Sequence, residues 1–173
     1  MTVQRTGREG ARVAGARPAP AAAGAEAAFN PAELHRGREA ALQLLYQWEI
    51  GRIGDPGPDA DALYWTAHPA PEPRQAFAAA LARGTVSRAP EIDALIAGHA
   101  RNWRLSRMAV LDRLILRMAI YELQCGRTPP LVVIDEAIEL AKAFSGDQSA
   151  GFVNGVLDSV RREISEGHEA DEE

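Results

Sequence analysis

The chain has 173 residues, 46% of them hydrophobic, so it is long enough to bury one sizeable core. Aromatic residues make up only 6% and Ala is abundant, which favours closely packed helices over a β-sandwich. The 19 Lys and Arg residues against 24 Asp and Glu residues give a net charge of −5, which excludes indiscriminate binding of nucleic acid by the whole surface. Any nucleic-acid site must therefore be a local patch.

The cellular setting and the chain ends can be judged from composition. No apolar run approaches the roughly 20 residues that a membrane-spanning helix needs, no secretory signal is recognisable, and the single Cys125 cannot form a disulfide within the chain. We expect a cytoplasmic protein without membrane contact. Ala, Gly, Pro and Arg dominate residues 1–31, which predicts a disordered basic extension, and 166–173 is predicted to be an acidic tail. Residues 32–165 remain as one helical domain.

The first predicted helix begins at about Pro31 and has two unlike faces. Over residues 33–50, apolar side chains such as Leu44 and Trp48 recur on one side of the helical wheel. We expect that face to be buried and the opposite face to meet solvent. The opposite face carries a guanidinium, two amides and an aromatic ring, at Arg36, Gln43, Tyr46 and Gln47.

Further helices are predicted over residues 59–66, 74–87 and 90–99, and their Ala-rich sequences indicate scaffold. Residues 105–123 are apolar nearly all round, which is typical of a central helix covered by its neighbours. Thr128 is predicted to cap the next helix, which has a proline at its first position and runs to Phe144.

The last helix has the clearest pattern, with Val153, Val156 and Val160 on one face. Residues 145–149 precede it and contain the Gly, Asp and Ser types that form turns and caps. Six to seven helices and no convincing strand predict an all-α bundle.

Residues that could perform chemistry do not form a recognisable set. The four histidines are scattered singly, and the only cysteine has no Cys or His at metal-ligand spacing. The sequence contains no Gly-rich phosphate loop, nucleophile elbow or zinc-protease motif. We therefore expect a binding protein and not an enzyme, without a cofactor or metal.

Three stretches of the chain resemble one bacterial family. They are Arg36-Gly-Arg-Glu-Ala-Ala-Leu-Gln-Leu-Leu-Tyr46, Val110-Leu-Asp-Arg-Leu-Ile-Leu-Arg-Met-Ala-Ile-Tyr-Glu-Leu123, and Ile134-Asp-Glu-Ala-Ile-Glu-Leu-Ala-Lys-Ala-Phe144 with Phe152-Val-Asn-Gly-Val-Leu-Asp158. The chain is similar to the NusB family of transcription antitermination factors. The resemblance implies a NusB-like helical bundle in two small subdomains. It also implies binding of the boxA RNA of ribosomal RNA transcripts together with ribosomal protein NusE, in a complex with other Nus factors and RNA polymerase that promotes transcription of rRNA operons.

Single-stranded RNA is held by cationic side chains on its phosphates and by planar groups stacked on its bases. The outer face of the first helix offers such groups, and the family's RNA surface carries over to the loop before the last helix. Core packing is the alternative role for Phe144 and Phe152. The RNA-binding residues predicted in this way are Arg36, Arg38, Gln43, Tyr46, Lys142, Phe144, Ser149 and Phe152.

Asp112 and Arg113 are charged residues in an otherwise apolar helix, so we expect them to face solvent or a partner. The resemblance places the NusE surface there, with an ion pair inside the helix as the alternative. Two other interpretations of the whole chain remain: a helical adaptor that binds only protein partners, and an accessory RNA-binding domain related to rRNA methyltransferases. The oligomeric state stays open, and a homodimer is among the options.

Overall fold

The computed structural model describes residues 30–53 and 55–171, and within them it contains seven α-helices, one 3₁₀ turn and no strand. The predicted all-α class is therefore confirmed. Residues 1–29, which hold nearly all of the predicted basic extension, and residues 172–173 lie outside the described part. The helices are α1 Pro31–Ile50, α2 Ala62–Ala67, α3 Glu72–Ser87, α4 Ala89–His99, α5 Val110–Cys125, α6 Pro130–Phe144 and α7 Asp147–Asp171, with the 3₁₀ turn at Leu105–Arg107.

Local chemistry explains how α1 begins and how α5 ends. The Asn30 side chain accepts a hydrogen bond at 3.0 Å from the backbone N–H of Glu33, and Pro31 occupies the first turn of α1. α5 ends at Gly126, whose φ of 65° lies in the left-handed region that glycine adopts without strain. None of the described helices is long and apolar enough to cross a membrane.

Two predicted details around α6 and α7 are wrong. Thr128 does not cap α6, which starts at Pro130 directly after Pro129 and has no side-chain cap. The turn before α7 is shorter than predicted, because the helix already begins at Asp147. α7 then continues to Asp171 and so passes residue 165, where the sequence suggested that the domain ends.

α5 is the central helix of the bundle. It packs against α1, α3, α4, α6 and α7, while α1 also packs closely on α3 and α6 on α7. The helices therefore form two groups that meet at α5 and share one continuous hydrophobic core. The predicted covered position of this apolar segment is confirmed by its fully buried side chains, which include Leu114, Ile115, Leu116, Met118 and Ile120.

Arg38 is buried, so its predicted place on the outer face of α1 is wrong. Only 2% of the residue is exposed. Its Nε and Nη2 donate hydrogen bonds at 2.9 and 2.8 Å to the two carboxylate oxygens of Glu122 in α5, and Nη1 lies 3.7 Å from a carboxylate oxygen of Glu136 in α6. Residues on an α-helix are about 100° apart, so position 38 points away from the side that carries Arg36. The guanidinium thus joins three helices.

Two glycines permit close approach between helices. A Cβ at Gly37 in α1 would overlap the ring of Phe77 in α3, and a Cβ at Gly84 in α3 would overlap the ring of Tyr121 in α5. Each glycine thus makes room for an aromatic ring where its helix meets the next.

We expect Gly84→Ala to lower the free energy of unfolding by about 1–3 kcal/mol, because the added methyl group must displace the Tyr121 ring or the helix backbone. Gly155→Ala in α7 is the matched control. Nothing lies within 4 Å of a Cβ at Gly155, and Ala favours a helix over Gly by about 1 kcal/mol. Urea unfolding should therefore move in opposite directions for the two variants, and a Gly84→Ala protein as stable as the parent would contradict the close packing.

We expect Arg38→Met to cost about 3–5 kcal/mol of stability, because it leaves the buried Glu122 carboxylate without its counter-charge. The double variant Arg38→Met/Glu122→Leu removes both charges and should recover much of that loss. Urea unfolding of the parent, the single variant and the double variant measures both effects. An unfolding midpoint of Arg38→Met equal to that of the parent would show that the pair does not hold α1 in place.

Candidate nucleic-acid interface

A groove of about 360 Å³ lies between α1, α2, the start of α5 and the end of α6. We call it the Tyr46 groove. Tyr46 is 42% exposed and Phe144 is 37% exposed, so both rings are accessible to a ligand. Three of the predicted RNA-binding residues, Gln43, Tyr46 and Phe144, meet in it. The groove is lined by Leu42, Gln43, Tyr46, Gln47, Tyr64, His68, Leu111 and Phe144.

α1 supplies one wall of the Tyr46 groove through its helical spacing. Gln43, Tyr46 and Gln47 lie three and four positions apart and therefore share one face of the helix. Leu44 and Trp48 lie on the other side and are buried. The predicted division of α1 into an apolar buried face and a polar outer face is thus confirmed, with Arg38 as the exception.

Hydrogen bonding and ring stacking order the polar side of the groove. The Tyr64 hydroxyl donates to Gln43 Oε1 at 2.6 Å, and the His68 ring stacks on Tyr64 with centroids 4.5 Å apart and planes 19° from parallel. Burial raises the pKa of the Tyr64 phenol, and the negative charge of Glu39 acts in the same direction. The hydroxyl therefore stays protonated at neutral pH and holds the Gln43 amide in one orientation.

Two of the predicted cations are exposed and differ in how strongly they are paired. Lys142 has a 50% exposed side chain, and its Nζ donates to Glu139 at 3.4 Å, a surface contact that competes weakly with a phosphate. Arg36 donates to Glu33 at 2.9 Å, and Glu33 also accepts two hydrogen bonds from Arg74. Hydrogen bonding from Arg74 lowers the pKa of Glu33, so its carboxylate stays charged beside Arg36. Lys142 is thus the less neutralised of the two.

The start of α7 holds the remaining predicted residues. The Ser149 hydroxyl donates to Asp112 Oδ2 at 3.1 Å, which ties α7 to α5. Phe152 lies one turn further along, half-buried against the core, with its ring centroid 5.7 Å from that of Trp103. Core packing, left open for Phe152 by the sequence, is therefore part of its role.

Asp112 and Arg113 do not face solvent, and each is bonded within the bundle. Asp112 is 8% exposed and accepts the Ser149 hydrogen bond. Arg113 donates to the Glu49 carboxylate in α1 and to the Leu105 carbonyl oxygen. An ion pair inside α5 is also wrong, because the charge opposite Arg113 belongs to another helix. Both side chains fasten α5 to its neighbours.

Five of the predicted residues fall in two clusters, Gln43, Tyr46 and Phe144 in the Tyr46 groove and Ser149 and Phe152 at the start of α7. Arg36, Lys142 and the buried Arg38 lie outside both clusters. Leu111 lines the Tyr46 groove, and the next residue, Asp112, accepts the hydrogen bond from Ser149 at the start of α7.

The structure adds three residues that sequence reasoning missed. The additions are Tyr64 and His68 in the groove and Trp103 beside Phe152. In the sequence these residues give only weak signals. Tyr64 and His68 are aromatic residues four positions apart at a short helix, and Trp103 stands between two arginines.

Within the ranges that the structure covers, no group of three or more His, Cys, Asp or Glu residues is placed to hold a metal ion. The surface just described offers rings, amides and cations instead. Such groups bind ligands by stacking and charge.

Comparison with known proteins identifies the family. The NusB family model matches residues 35–162. The transcription antitermination protein NusB of Solibacter usitatus (strain Ellin6076) is 47% identical over 137 residues, which span 78% of this chain and 92% of that protein. The chain belongs to the NusB family. The family resemblance noted in the sequence is therefore confirmed.

Other NusB proteins agree with this assignment. The transcription antitermination protein NusB of Symbiobacterium thermophilum is 42% identical over 144 residues, covering 79% of this chain and 94% of that protein. The solved structure of T. maritima NusB matches with a TM-score of 0.65 and 34% identity, over 75% of this chain and 90% of that chain. The helical bundle described above is therefore a NusB fold.

Proposed function

We propose that this protein is a transcription antitermination factor that binds the boxA segment of nascent ribosomal RNA in a complex with ribosomal protein NusE. With other Nus factors, this complex would promote processive transcription of rRNA operons by RNA polymerase. Membership of the NusB family supports the antitermination role, since the relatives carry that name and not that of a methyltransferase. The role implies a cytoplasmic location and no enzymatic activity.

The Tyr46 groove is the observation that carries the RNA half of the proposal. It combines two accessible rings, Tyr46 and Phe144, with the amides of Gln43 and Gln47. Lys142 lies two positions before Phe144 in α6, so its exposed ammonium is on another side of that helix and outside the groove lining. Rings stack on unpaired bases, amides bond base edges and a cation neutralises phosphate. Arg36, nearer the N-terminus of α1, is a second cation, and its charge is partly neutralised by Glu33.

The NusE half of the proposal rests on the family alone. Asp112 and Arg113 are committed to Ser149 and Glu49, so they act on any partner only by holding α5 in position. We therefore assign them a positioning role and leave the NusE contact to other side chains.

The experiment that tests the function is a fluorescence anisotropy titration of a labelled boxA-like RNA from a ribosomal leader, with the protein alone and with NusE, beside a scrambled RNA. Specific binding that NusE strengthens is the expected result. Binding of NusE without specific binding of RNA would favour the protein-only adaptor and overturn the proposed function.

We expect Tyr46→Ala to weaken binding of the boxA-like RNA by about 1–3 kcal/mol, because a base loses its stacking surface. Tyr46→Phe keeps the ring and is the matched control, with an affinity close to that of the parent. Circular dichroism should show the same helical content in all three proteins. Equal losses in the two variants would mean that the hydroxyl matters and that stacking does not.

We expect Lys142→Ala to reduce the slope of log affinity against log salt by about 0.7, the value for one neutralised phosphate on a single strand. Lys142→Arg retains the charge and should retain the slope. Titrations at several salt concentrations measure both. If Lys142→Ala leaves the slope of log affinity against log salt unchanged, Lys142 does not contact an RNA phosphate.

A further inference from the structure

A basic and aromatic surface between α4 and α5 lies outside the Tyr46 groove. We call it the Trp103 patch, and it consists of Arg101, Trp103, Arg104 and Arg107, all of them exposed. Trp103 is 56% exposed, although large apolar side chains are usually covered. In the sequence, the patch corresponds to a short segment in which three arginines surround one tryptophan.

The three guanidiniums of the Trp103 patch have no partner in the part of the chain that the structure describes. Within residues 30–53 and 55–171, none of them forms a side-chain hydrogen bond or an ion pair. Arg113 and Arg117 in the neighbouring helix, by contrast, are bonded to Glu49 and Asp93. The sequence has no Asp or Glu between Asp93 and Asp112, and Asp112 itself is buried. Guanidiniums in this state are available to bind phosphate oxygens.

The backbone of the patch is fixed by hydrogen bonds. The Trp103 N–H donates to the Ala100 carbonyl at 3.0 Å, and the Arg107 N–H donates to the Arg104 carbonyl at 2.9 Å. Nη1 of Arg113 donates to the carbonyl of Leu105 at 3.3 Å, which ties the turn to α5. Because the turn is already ordered, a ligand need immobilise only side chains.

The patch adjoins the start of α7. The Trp103 ring is tilted at 56° to the Phe152 ring, with centroids 5.7 Å apart. Phe152 lies one helical turn from Ser149, whose hydroxyl is bonded to Asp112. Leu111, the residue before Asp112, lines the Tyr46 groove. The patch therefore lies directly beside Phe152, one of the predicted RNA-binding residues at the start of α7.

We propose that the Trp103 patch binds an unpaired RNA segment that continues from the Tyr46 groove, with a base stacked on Trp103 and phosphates paired with the arginines. The inference rests on the proposed function and extends it to nucleotides that flank boxA. A planar ring among unpaired guanidiniums is the combination that single-stranded nucleic acid requires.

The test compares three labelled RNAs, a boxA-like segment alone and the same segment extended by unpaired nucleotides at one end or at the other, each titrated with the full chain and NusE. We expect one extension to strengthen binding and to steepen the salt slope by about 0.7 for each added phosphate that is neutralised. Arg101→Gln/Arg104→Gln/Arg107→Gln should abolish this gain and leave binding of the short RNA unchanged.

Arg127→Gln is a control for the loss of a single positive charge far from the patch. Arg127 follows the C-terminus of α5, whereas the patch precedes its N-terminus, and a helix of 16 residues is about 24 Å long. The control should therefore retain the gain from the extension.

The stacking of a base on Trp103 can be measured separately from the charge of the arginines. The extended RNA should quench the fluorescence of the exposed Trp103. Trp103→Leu should weaken binding of the extended RNA by about 5- to 150-fold, which corresponds to about 1–3 kcal/mol for one stacked base. Trp103→Phe keeps a ring against Phe152 and should retain most of the affinity.

The outcomes separate this inference from the proposed function. Specific binding of the short RNA with no gain from either extension would overturn the inference and leave the function intact. Binding of neither RNA would refute both. Loss of NusE binding in the arginine variant, with the gain from the extension preserved, would make the patch a protein-binding surface and the inference wrong.

Discussion

The contact between Arg38 and Glu122 fixes how α1 lies on the rest of the bundle. The guanidinium meets both carboxylate oxygens at 2.8 and 2.9 Å, and the Glu136 carboxylate lies 3.7 Å away on a third helix. An isolated charge in this place would lose several kcal/mol of hydration, so each member is stable there only beside the other. Rotation or sliding of α1 would separate them, and the pair therefore sets one orientation of α1 against α5 and α6.

That orientation decides what α1 presents to solvent. With Arg38 directed inward, Gln43, Tyr46 and Gln47 are directed toward α2 and the end of α6, where they form the Tyr46 groove. The groove exists only because four helices meet there, α1, α2, α5 and α6, so changes in the core are expected to reach the RNA surface. Glycine at position 84 contributes in the same way, since it lets α3 approach Tyr121 in the central helix.

The ion pairs divide the basic residues into those that hold the fold together and those that are free to bind a ligand. Arg74, Arg113 and Arg117 are bonded to carboxylates on other helices and serve the fold. Lys142 and the arginines of the Trp103 patch are exposed with weak partners or, among the described residues, none. A chain with a net charge of −5 can in this way still offer a positive surface, because most of its acidic groups are placed elsewhere or already engaged.

The sequence by itself determined the all-α class, the two faces of α1, the covered position of α5 and the family, because helical periodicity and family motifs are local properties. It also found Gln43, Tyr46 and Phe144 of the groove. Only the tertiary structure decided that Arg38 is buried and that Asp112 and Arg113 are committed to other helices. It alone brought Tyr64, His68 and Trp103 to the site. These outcomes depend on partners distant in the chain, such as Glu122, which is 84 residues from Arg38. A helical wheel shows which side of a helix a residue occupies, but only packing shows which charge it meets there.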